Sequence, residues 1–103
     1  MLLMILKNAP ASLKGELSRW LIEPEAGIFL GNPSARVRDR LWEKALEKRN
    51  QGYILQVWSD ASCPQGYRCR WMGESTREMV DVEGLFLVRK KPVERKKPGR
   101  KTN

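Results

Sequence analysis

AGIFLGNPSARVRDRLWEKALEK, residues 26–48, joins a short apolar run directly to the clearest helical pattern in the chain. The run AGIFLG (26–31) is too short for a helix and suits a buried strand. Asn32 and Pro33 break it, and Ser34 is placed to cap the helix that begins after it. Val37, Leu41, Ala45 and Leu46 then recur at helical spacing on one face, while charges of alternating sign occupy the other. Asn50, Gln51 and Gly52 end the helix.

Upstream, LLMIL (2–6) reads as a strand buried on both faces, closed by Asn8 and Pro10. SLKGELSRWLI comes next with Leu13, Leu17, Trp20 and Leu21 at helical spacing, Ser12 as N-cap and Pro24 as the stop. Gly15 inside it costs about 1 kcal/mol relative to alanine, so it marks either a close backbone approach or a tolerated defect. Downstream, YILQVWS (53–59) and YRCRWM (67–72) read as strands around the loop DASCPQG. In the second of these Tyr67, Cys69 and Trp71 alternate with Arg68 and Arg70. GESTREMVDVEG reads as a polar loop before a last strand, Leu85–Val88.

The expected order is therefore β-α-β-α-β-β-β. Two helices cannot cover both faces of a five-stranded sheet, so the expected fold is an α+β two-layer sandwich with both helices on one face. Ile28, Ile54, Trp58 and Trp71 are more apolar surface than a one-sided core consumes. A homodimer that buries the open face is the expected consequence.

At 103 residues the chain is one domain. Its opening has no basic region before the apolar run and is too short for a secretory signal, and no run approaches bilayer length, so the expectation is a soluble, cytoplasmic protein. With no histidine and only Cys63 and Cys69 as soft ligands, a zinc site is excluded and the cysteines read as reduced thiols. The net charge is +8, and nearly all of it lies beyond residue 88 in RKKPVERKKPGRKTN. Lysine and arginine broken by Pro92, Pro98 and Gly99 predict a disordered tail, which serves either as a solubiliser or as a phosphate binder.

No nucleophile elbow or glycine-rich phosphate loop is present. Asp39 and Glu43 lie one turn apart but among arginines and lysines, the pattern of a solvated ion-pair face. Asp60, Asp81 and Glu83 read as isolated loop acids. The basic residues offer more: Lys14 and Arg19 on the first helix, Arg36, Arg38 and Arg40 at the start of the second, Arg68 and Arg70 on a strand, and Arg77 in a loop. Guanidinium groups suit phosphate through paired donors. An RNA-recognition motif would need stacked aromatics in a run that GYRCRWMG does not match.

Two adjoining patterns go further. WLIEPEAGIFLG (20–31) and NPSARVRDRLWE (32–43), with ILQVWS and GESTREMVDVEGLFLV, resemble the second core CRISPR-associated protein (Cas two) in its subtype I-E form. The likeness runs over residues 1–93 and leaves 94–103 as an extension. It implies a ferredoxin-like fold and a homodimer whose sheets face each other. It also implies a role in CRISPR adaptation, where the dimer binds duplex DNA (the prespacer) and bridges integrase subunits that perform the strand transfer. By the same likeness Lys14 and Arg77 match DNA-backbone contacts, to which Arg19, Arg36 and Arg38 are added as nucleic-acid candidates from their charge. Ser12 and Thr76 stand where relatives often carry further basic residues. Leu85, Phe86, Leu87 and Val88 match the strand that meets the integrase.

Many members of that family are described as magnesium-dependent endonucleases or endoribonucleases, with a carboxylate just past the first strand. Lys7 occupies that position, and Asn8 beside it offers a neutral carbonyl. Hard cations require oxygen ligands, so no catalytic residue, metal ligand or cofactor is expected here, and Mg2+ belongs only to the nuclease alternative. A substitute would have to be a nearby acid such as Asp60, to which no motif in the sequence points.

Overall fold

β1 (Leu2–Lys7) occupies the centre of an antiparallel sheet, and the computed structural model builds the rest of the domain outward from it. The structure describes residues 1–74, 77–82 and 85–90; the basic stretch 94–103 lies outside them. After β1 come α1 (Ala11–Leu17), β2 (Ile22–Glu25), β3 (Ile28–Gly31), α2 (Ala35–Lys48), β4 (Tyr53–Ser59) and β5 (Tyr67–Met72). The sheet order is β2-β3-β1-β4-β5. A βαββαβ path with its strands in the order β2-β3-β1-β4 is a ferredoxin-like α+β sandwich, and β5 extends the sheet beyond β4.

Leu2, Met4 and Leu6 on β1, Phe29 on β3 and Ile54 on β4 form the sheet's share of the core. Leu13, Leu17, Leu21, Leu41 and Ala45 close it from the helical layer. Ser34 caps α2 as expected, its Oγ accepting from the Val37 N–H at 3.2 Å. Leu46, expected on the buried face, is 38% exposed. It lies about 100° round the helix from Ala45, which is far enough to leave the core.

α1 departs from its expected form at both ends. Pro10, not Ser12, is the N-cap, and its carbonyl accepts from the Leu13 and Lys14 amides. The helix stops at Leu17 and a looser turn carries the chain to Leu21, which is buried, while Trp20 is 56% exposed. Pro24 sits within β2. That strand is at the sheet edge, where a missing N–H is tolerated. Gly27 makes the β2–β3 turn with φ +81°, and a Cβ there would lie 2.5 Å from the Leu6 carbonyl oxygen. Glycine is required on both counts.

Register decides which residues face the helices. Ile54 pairs with Leu6 and Trp58 with Leu2, so both sit on the helical side of the sheet. This corrects their expected place on the open face. Ile28 and Trp71 do lie on the open side, with Leu3, Ile5, Leu30, Leu55 and Val57. These side chains are half-buried among their sheet neighbours.

β6 (Arg77–Val82) and β7 (Leu85–Lys90) form a separate two-stranded sheet. Half of the expected polar loop is therefore a strand, and the last strand runs two residues longer than its apolar pattern. Arg77, expected in a loop, is the first residue of β6, paired with Lys90.

Candidate nucleic-acid interface

α2 projects Arg36, Arg40 and Lys44 at intervals of four residues, which aligns them as one stripe facing α1. Across from it, α1 and the turn after it supply Glu16, Arg19 and Trp20. Together with Val37 and Leu41 these residues line a cleft of about 310 Å³. Glu16 is the only acid in the lining, and the Lys44 ammonium lies 3.7 Å from it. Arg19, Arg36 and Arg40 have no acidic partner among the described residues and are exposed. Of the sequence candidates, the cleft thus brings Arg19 and Arg36 together. Arg40, Lys44 and Trp20 complete it, and the four-residue spacing of the α2 cations was the signal for the first two.

Arg38 points to the other side of α2 and is committed elsewhere. Its Nε donates to Asp39 Oδ1 at 3.1 Å, and its guanidinium lies 4.5 Å from the Trp58 ring centre. Arg70 reaches the same carboxylate oxygen from β5 at 2.8 Å and stacks between Trp42 and Trp58. Hydrogen bonds from Arg38 and then Arg70 hold the Asp39 carboxyl below its usual range. Beneath them Gln56, fully buried, accepts from Arg70 Nε at 2.7 Å and donates to the Arg38 carbonyl at 3.0 Å. This network ties α2 to the β4–β5 edge, so Arg38 is in large part a structural cation. Lys14 lies on α1, half-buried and outside the cleft lining.

At the exit of β1 the Lys7 ammonium sits 5.6 Å from the ring centre of Tyr53, whose hydroxyl burial pushes to a higher pKa. Asn8 follows in the left-handed region at φ 58°. Asp60 is no substitute ligand. β4 runs antiparallel to β1, so Asp60 follows Ser59 at the opposite end, where the Ser59 amide donates to the Met1 carbonyl. Ser62 and Arg68 also occupy its oxygens, at 2.6 and 2.7 Å, which lowers its pKa to about 2. A cation and an amide at the β1 exit do not fit a divalent metal. On the C-terminal hairpin, Leu87 and Val88 are 47% and 56% exposed.

A ferredoxin-like α+β domain with an apolar sheet face that no helix among the described residues covers, and with a basic helical face, is the class these features define. No helix among the described residues is long and apolar enough to cross a membrane. Over residues 1–87 the chain matches the family model for CRISPR-associated protein (Cas_Cas2CT1978), and it belongs to that family.

Proposed function

We propose that this chain is a non-catalytic adaptor of CRISPR adaptation in a subtype I-E system. It acts as a homodimer that binds duplex DNA and bridges integrase subunits during spacer acquisition. The observation that carries the non-catalytic part is the β1 exit, where Lys7 lies over Tyr53 at the position of the nuclease carboxylate. A divalent ion there would meet an ammonium in place of an oxygen ligand. Dimerisation is supported by the row of Leu3, Ile5, Leu30, Leu55 and Val57 across the uncovered face. Integrase docking is supported by the separate β6–β7 sheet with Leu87 and Val88 exposed.

Full-length protein mixed with the integrase subunit and blunt duplex DNA tests the reading. Co-purification is expected to be lost when residues 84–93 are deleted, and unchanged binding refutes the docking role. Log K against log salt should fall with a slope of about −0.9 per neutralised phosphate. RNA and duplex DNA incubated with magnesium should remain intact. Cleavage that chelator abolishes and that survives purification would establish the nuclease alternative instead.

A further inference from the structure

Trp20 lines two adjoining depressions. One is the basic cleft with Arg19, Arg36 and Arg40. The other is a notch of about 490 Å³ lined by Met1, Ile22, Leu30, Gly31 and Asn32, mostly apolar. Met1 and Ile22 are each 68% exposed, so Trp20 stands among unburied apolar side chains on one side and, on the other, guanidiniums with no acidic partner among the described residues. A single exposed tryptophan requires no explanation. One that separates a cation cluster from an apolar notch defines a bipartite surface, with a charged half that suits phosphate and a flat half that suits a nucleobase. Duplex DNA presents phosphates but keeps its base faces stacked, so it can use only the charged half. A single strand uses both.

We propose that the cleft between α1 and α2 and the notch beside Trp20 form one site for an unpaired nucleotide of a nucleic-acid strand. Arg19, Arg36 and Arg40 hold its backbone phosphate and Trp20 stacks on its base. The charged half lies on the helical side of the domain, and the notch reaches round the sheet edge to Ile22 and Leu30, so a base seated there touches one margin of the apolar sheet face. The inference extends the nucleic-acid reading above by naming a strand state, and it stands or falls separately from duplex binding.

The test uses the full-length chain with a fluorescein-labelled fifteen-nucleotide oligothymidylate and, in parallel, a blunt fifteen-base-pair duplex at one salt concentration. Stacking on one aromatic is worth about 1–3 kcal/mol, so Trp20→Leu should weaken oligothymidylate binding by about fivefold or more. Duplex affinity should stay within about twofold. The exposed position of Trp20 makes this variant tolerable to the fold, and circular dichroism checks it. Arg36→Ala with Arg40→Ala should weaken single-strand binding and flatten its salt slope by about 0.7 for each phosphate no longer neutralised. Unchanged oligothymidylate binding in Trp20→Leu overturns the proposal, as does an equal loss on both ligands. Full displacement of oligothymidylate by polyglutamate of equal charge would also overturn it, because the site would then be a docking surface for acidic protein. If wild-type protein binds oligothymidylate through Trp20 but not the duplex, this site stands and the duplex-binding adaptor reading fails.

Discussion

Replacing Gln56 by leucine removes a buried polar side chain that joins α2 to the β4–β5 edge. Gln56 accepts from the Arg70 Nε at 2.7 Å and donates to the Arg38 carbonyl at 3.0 Å. A hydrogen bond to a charged group contributes about 1.5–3 kcal/mol and a neutral one about 1 kcal/mol. Two effects reduce the loss. Arg70 keeps Asp39 at 2.8 Å and part of its guanidinium reaches water, and the new leucine buries apolar surface beside Met4. The net expected cost of Gln56→Leu is about 2 kcal/mol. Urea unfolding at one protein concentration reads it, with fluorescence reporting on Trp42 and Trp58. The decisive measurement is a double-mutant cycle with Arg70→Met. A coupling of about 1 kcal/mol or more is expected if the amide acts through Arg70. A coupling below about 0.3 kcal/mol would refute that chain of contacts and leave Gln56 as mere filler.

Three further outcomes rest on the same geometry. Gly15→Ala should stabilise the fold by about 0.5–1 kcal/mol in the same urea assay, because a Cβ there meets nothing within 4 Å and α1 gains helix propensity. Asp60 titrates at about 2 against a usual 3.8, so its stabilising contribution is intact above pH 3.8 and is lost as pH falls through about 2. Acid unfolding of Asp60→Asn followed by far-UV circular dichroism should lack that part of the slope, and identical curves would remove the Arg68–Asp60 pair as a stabiliser. Val57→Lys places a charge in the apolar sheet face opposite the helices; on the proposed dimer, light scattering should report a dimer for the native chain and a monomer for the variant, and equal masses would refute that seam.

The strands that alternate or run wholly apolar were legible in the sequence, and those that do neither were not. β5 announces itself through Arg68 and Arg70 between Tyr67, Cys69 and Trp71. β2 is IEPE, all exposed at the sheet edge, and nothing in its composition separates it from a loop. β6 is REMVDV, whose Arg77, Glu78 and Asp81 mask a strand held by pairing with β7. The face assignment of β4 failed for a different reason. YILQVWS is apolar at most positions, and its polar Gln56 occupies the buried parity, so pattern alone pointed the wrong way for Ile54 and Trp58. Only the pairing of Ile54 with Leu6 resolves it.

The same limit governed the basic residues. Arg36, Arg38 and Arg40 read as one cationic patch at the head of a helix. At 100° per residue, however, Arg38 stands about 200° from Arg36, whereas Arg40 returns to within about 40° of it. The packing uses this difference. Arg38 turns toward β4 and β5, where Trp58 engages it beside its own neighbour Asp39, and Arg36 and Arg40 turn toward α1 with no acidic partner among the described residues. Neutralising Arg38 should therefore act mainly on stability, and neutralising Arg36 or Arg40 mainly on nucleic-acid affinity. Three arginines spaced two apart divide into one that holds the sheet to the helix and two that line the cleft.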